Sequence, residues 1–153
     1  MTINTERLQG TLDFITNNPG RHSQGIWFRG QATECGSTGC FAGWSVALYG
    51  PAEGWVQDSP ESPRDFGPSY WRHEKAMERA MHVGEVAIDL LGLTQDQADV
   101  LFNGENTPGM IADMVDDLVN RCGLQHDPDE GDFNPWYYYQ RRDHARNGGS
   151  CND

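Results

Sequence analysis

The chain has 153 residues, a formal net charge of -12, 37% hydrophobic residues and 22% charged ones, so it suits one acidic domain with one core. Five Trp, five Tyr and six Phe supply apolar material for that core, and the composition as a whole carries no signature of disorder. No apolar run reaches the roughly 18 residues that a membrane-spanning helix needs. With Lys75 as its only lysine, the chain lacks the basic cluster that direct nucleic-acid binding requires.

The first stretch, MTINTERLQGTLDF, is polar and helical in pattern instead of basic then apolar, which predicts a cytoplasmic protein. Asn4 or Thr5 caps a first helix through about Asn17, because Leu8, Leu12 and Ile15 recur at helical spacing and Asn-Asn-Pro-Gly stops the run. The segment GIWFRG, 25–30, reads as a brief strand or extended piece that drops Trp27 or Phe28 into the core. Phe41 to Tyr49 is apolar almost all round, the pattern of a helix buried in the middle of a bundle, and Gly50-Pro51 ends it. Pro51 to Tyr70 holds four of the eight prolines and reads as a long loop without regular structure, pinned by Trp55, Phe66, Tyr70 and Trp71.

His73 to Gly92 carries Ala76, Met77, Ala80, Met81, Gly84, Ala87, Ile88 and Leu91 in one stripe, which predicts the longest helix. Thr94 with Gln97 forms a capping box for a further helix that buries Ala98, Val100, Leu101 and Phe102 before Gly104. Thr107 as cap and Pro108 as first residue open a last helix, predicted to run through Cys122 and end at Gly123. The expected fold is mainly α: a compact single-domain helical bundle over residues 1–124, with one long Pro/Gly-rich loop. An irregular acidic and aromatic arm follows over 125–153.

The chemistry-bearing stretch is TECGSTGCFAGW, 33–44, where Cys35 and Cys40 stand five positions apart among glycines. In a reducing compartment a disulfide is disfavoured, and zinc held by Cys35 and Cys40 needs a second ligand pair that the spacing does not supply. Cys40 at a helix start is the candidate nucleophile of a cysteine-dependent enzyme, since free backbone donors there lower a thiol pKa. That role also needs a histidine in reach, and His73 and His82 fall on different faces of the predicted helix. The commonest role of such a cysteine is packing, with Gly36, Gly39 and Gly43 admitting close backbone approach and Trp44 filling the core. No phosphate-cradling loop, dinucleotide fingerprint or His-Glu-x-x-His helix occurs, and DPDEGDFN, 127–134, fails the calcium-loop pattern at its sixth and twelfth places.

Charge points to binding. From Glu85 to Asp132 there are twelve acidic residues and one basic residue, Arg121. A field of that sign solubilises helix faces, and it also attracts a basic protein surface, with Asp113, Asp116 and Asp117 as candidate contacts. Trp136, Tyr137, Arg141 and Arg142 in the arm add an aromatic and arginine mixture typical of protein interfaces, open to self-association as well.

CGSTGCFAGW, 35–44, followed by AIDLLGLTQDQADVLF, 87–102, resembles small proteins of unknown function of actinobacteria and their phages. Those proteins share Cys-Gly-[Ser/Thr]-x-x-Cys-x-Ala-Gly-Trp and then Leu-Gly-Leu-Thr-x-x-Gln-Ala-x-x-Leu-Phe, a match over about residues 25 to 122. The resemblance implies a helical accessory protein, phage-encoded, and brings no activity, substrate or cofactor. The expectation is therefore a non-catalytic acidic accessory protein that occupies a basic partner surface, by host modulation or nucleic-acid mimicry. The alternatives are the Cys40 enzyme and the zinc-stabilised interaction module.

Overall fold

A computed structural model describes residues 3–30, 37–58, 69–76 and 79–120. Helix α1 (Thr5–Asn17) starts where expected, with Asn4 Oδ1 accepting the Arg7 N–H at 3.0 Å, and it buries Leu8, Thr11 and Ile15. Helix α2 (Phe41–Tyr49) packs between α1 and α3 (Val83–Leu91), as its all-round apolar character requires, and Phe41 to Val46 are all buried. In α4 (Gln95–Leu101) both halves of the capping box form: Gln97 N–H donates to Thr94 Oγ1 at 3.1 Å and Thr94 N–H to Gln97 Oε1 at 2.9 Å. Helix α5 (Pro108–Asn120) opens with Thr107 Oγ1 accepting from Met110 N–H, then packs on α1 and α4.

The expected helical bundle is corrected to a mixed α/β fold, so the all-α reading does not hold. Among the described residues, five short strands form two antiparallel sheets. Strand β1 (Phe28–Arg29) pairs with β2 (Thr38–Gly39), Phe28 opposite Gly39. Strands β3 (Trp55–Gln57), β4 (Tyr70–His73) and β5 (Ala80–His82) form the second sheet in that order. The helix read over 73–92 thus begins only at Val83, and the loop read over 51–70 contains a 3-10 turn at Pro51–Glu53 and then β3.

The physical reason is that β-pairing is decided across the chain, not within it. Trp71 is 2% exposed and Trp55, Val56 and Gln57 stand opposite His73, Arg72 and Trp71, an arrangement no single segment encodes. Of the stripe residues, Ala76 lies past the end of β4 and Ala80 and Met81 in β5; Ala76 N–H donates to His73 O at 2.8 Å and Arg79 N–H to Ala76 O at 3.0 Å. Arg72 then locks the sheet from inside: its Nε donates to Asp58 Oδ1 at 2.8 Å and its Nη2 to Oδ2 at 3.4 Å.

Two buried carboxamides join the helical layer. Gln24 Oε1 accepts the Phe41 N–H at 3.1 Å while its Nε2 donates to Leu101 O at 3.2 Å, linking the start of α2 to the end of α4. Asn106 Nδ2 donates to Val100 O at 2.8 Å and Leu101 O at 3.0 Å, covering carbonyls that the end of α4 leaves unbonded. Between α1 and α2, Ser45 Oγ donates to Thr11 Oγ1 at 3.0 Å in the core.

Candidate functional site

The cysteine motif builds a seat for Trp27. Cys40 is the N-cap position of α2, but its side chain caps nothing; the Phe41 N–H is satisfied by Gln24 instead. The Cys40 N–H donates to Trp27 O at 3.4 Å and its Sγ lies 3.6 Å from the same oxygen. Gly39 and Gly43 leave room for that backbone: a Cβ on Gly43 would overlap Trp27 O, and one on Gly39 would stand 2.6 Å from the Phe28 ring. Close approach here requires glycine.

Phe28 turns inward against Trp44, ring centroids 4.9 Å apart, while Trp27 turns outward and stays 40% exposed. The Trp27 indole meets His82 edge to face at 4.6 Å and Phe102 at 6.4 Å. It also lies over Gly84, where an added Cβ would come within 3.2 Å of Cζ3. These contacts form one wall of a cleft of about 690 Å³ between Trp27, the start of α3, α4 and the turn after it.

Glu85 enters that cleft from α3 and Asp99 from α4, Gln95 and Asn103 line it, and among the described residues no Lys or Arg does. Gln95 Nε2 donates to Asp99 Oδ1 at 2.8 Å and so holds the carboxylate in place. His82 caps α3, its Nδ1 accepting the Gly84 N–H at 3.1 Å, which assigns the ring hydrogen to Nε2 in the neutral imidazole. Burial holds the His82 pKa below its ordinary 6.5, against the opposing pull of Glu85. The cleft is therefore aromatic and acidic, a combination suited to a cation.

Other candidate residues are placed differently. Cys40 is a free thiol, 1% exposed, and burial pushes it up to about 11 despite nearby backbone donors. Desolvation outweighs the helix-start effect that would have activated it. Cys35 and Gly36 lie outside the described residues, as do Phe66, Cys122 and the arm with Trp136, Tyr137, Arg141 and Arg142. Among the described residues no group of three or more His, Cys, Asp or Glu is placed to hold a metal ion.

His73 and His82, read on one helix, sit at the ends of β4 and β5; His73 Nε2 is 2.9 Å from Glu53 O. Of the acidic candidates, Asp117 is 4% exposed and Asp113 and Asp116 are half-buried on α5. Between Val83 and Asn120 the exposed carboxylates are instead Glu85 and Asp89 on α3, Asp96 and Asp99 on α4, and Glu105. Sequence reasoning also missed Gln24 and Trp27 as site builders; the one signal was Gly39 and Gly43, the glycines that the Trp27 backbone approaches.

Among the described residues, no helix is long and apolar enough to cross a membrane. The chain matches no protein-family model, no curated protein and no solved structure, so these comparisons support neither the origin nor the role that the sequence resemblance implies.

Proposed function

We propose that the protein is a non-catalytic binding module that engages a basic surface of a partner protein through the acidic face of α3 and α4. The observation that carries this reading is one of sign and exposure. Glu85, Asp89, Asp96, Asp99 and Glu105 are exposed, and from Val83 to Asn120 the chain has eight carboxylates and no lysine or arginine. An acidic helical face of that kind accelerates encounter with an oppositely charged partner and repels nucleic acid. The buried, protonated thiol of Cys40 fits the packing role and not nucleophilic attack.

The test uses a fluorescent peptide rich in arginine and lysine, titrated with the full chain. Binding is expected to weaken strongly as salt shortens the Debye length from about 10 Å at 0.1 M to about 3 Å at 1 M. It is also expected to weaken in the double variant Asp89→Lys, Glu105→Lys. Affinity that ignores both salt and charge reversal would overturn the reading.

A further inference from the structure

We infer that the cleft beside Trp27 receives an arginine side chain displayed by the partner protein, an assignment that rests on the acidic-face reading above. The wall is a flat indole, 40% exposed, backed by His82 edge to face at 4.6 Å and seated over Gly84. Its open face is a platform for a planar cation. Asp99 and Glu85 reach the same cleft from two helices, and Gln95 holds Asp99 without neutralising it.

The choice of guanidinium over ammonium follows from shape and hydration. A guanidinium stacks on an aromatic face while its fork pairs with carboxylates, and it loses less hydration than a compact ammonium. The molecule already uses this chemistry internally: the Arg21 guanidinium lies 4.7 Å from the Trp44 ring centroid and 5.7 Å from that of Phe14. Among the described residues no arginine or lysine lies over Trp27. A cleft of about 690 Å³ is roomy enough for the whole side chain. His82, with Nδ1 committed to the Gly84 N–H, presents a neutral ring to the incoming charge.

Nitrogen-edited NMR of the full chain titrated with Nα-acetyl-arginine amide, and with its lysine and citrulline counterparts, tests the assignment. The Trp27 indole N–H and the amides of Gly84 and Gly104 are expected to shift saturably with the arginine amide. The lysine amide is expected to bind about three- to tenfold more weakly, and the neutral citrulline amide to leave these signals in place. Trp27→Ala and the exposed Asp99→Asn should each weaken arginine binding about five- to tenfold, whereas Trp27→Phe, which keeps a ring, should retain more than Trp27→Ala. Equal and diffuse shifts with arginine and lysine, no saturable shift at tens of millimolar, or full affinity in Asp99→Asn and Trp27→Ala would each overturn it. If the basic peptide binds these two variants as well as it binds the native chain, the cleft assignment fails and the acidic-face reading stands. If that peptide does not bind the native chain, the acidic-face reading itself fails.

Discussion

Gly43 and Cys40 link the opening cysteine motif to the cleft by way of Trp27. Gly43→Ala places a methyl group against Trp27 O and 2.8 Å from the Phe28 ring, so it should cost about 1–3 kcal/mol of stability, read as a lower urea midpoint. Because the same backbone seats the indole, that variant should also change Trp27 fluorescence and weaken cation binding. Cys40 has a folded pKa of about 11 against an ordinary 9.0. Its contribution to stability is thus full below about pH 9 and is lost as pH rises toward 11, at about 1.4 kcal/mol per unit. Cys40→Ala should flatten that part of the stability profile, and peptide mapping after thiol labelling at pH 8 should find native Cys40 unmodified.

His82 titrates with the opposite consequence, because its pKa is depressed in the fold: its contribution is present above 6.5 and fades as pH falls through the lowered value. Protonation also removes the Nδ1 acceptor from the Gly84 N–H and adds positive charge beside the cleft. Between pH 7 and 5 the native chain should therefore lose both thermal stability and affinity for cations. His82→Asn, which keeps a capping acceptor, should lose less of each.

At the scale of elements, two ion pairs of nearly equal length have unequal consequences. Arg7 Nη2 to Glu53 Oε1 is 2.7 Å, but its side chains are 23% and 51% exposed, so Glu53→Gln should shift stability by under about 1 kcal/mol. Arg72 to Asp58 is 2.8 Å with Asp58 buried beside β4; Arg72→Met should cost about 1.5–3 kcal/mol by removing charge-assisted hydrogen bonds to a buried carboxylate. Urea denaturation of both variants decides whether burial, and not distance, sets the difference. Element boundaries set by local hydrogen bonds were legible in the sequence: Asn4 before α1, the Thr94 and Gln97 box of α4, and Gly50-Pro51 after α2. Strands β3 to β5 were not, since a three- or four-residue strand has almost no local signature. Ala80 to His82 becomes a strand only because Tyr70 to Arg72 lies beside it.

For the whole molecule, the distribution of charge separates binding from folding. Asp89 stands in the last turn of α3, where a negative charge opposes the helix dipole. Asp89→Lys should raise stability by about 0.3–1 kcal/mol while weakening the basic peptide, and a variant that loses both would argue against a functional acidic face. Unlike the start of α3, the acidic character of residues 83–120, the central place of α2 and the starts of α1, α4 and α5 were determined by the sequence alone. Each depends on residues a few positions apart: charge count, apolar density around one helix turn, or a side chain reaching a backbone N–H three residues on. Which carboxylates face outward depends on helix packing, and α5 turns Asp117 inward while α3 and α4 leave Glu85, Asp89, Asp96 and Asp99 exposed. Only the tertiary structure decided that Trp27 stands in a cleft with Asp99, 72 positions along the chain, and that CGSTGCFAGW serves to seat it. Such a site is made by close approach, of the Trp27 backbone at Gly39 and Gly43 and of its ring at Gly84, and that approach is a property of the packed molecule and of no single segment.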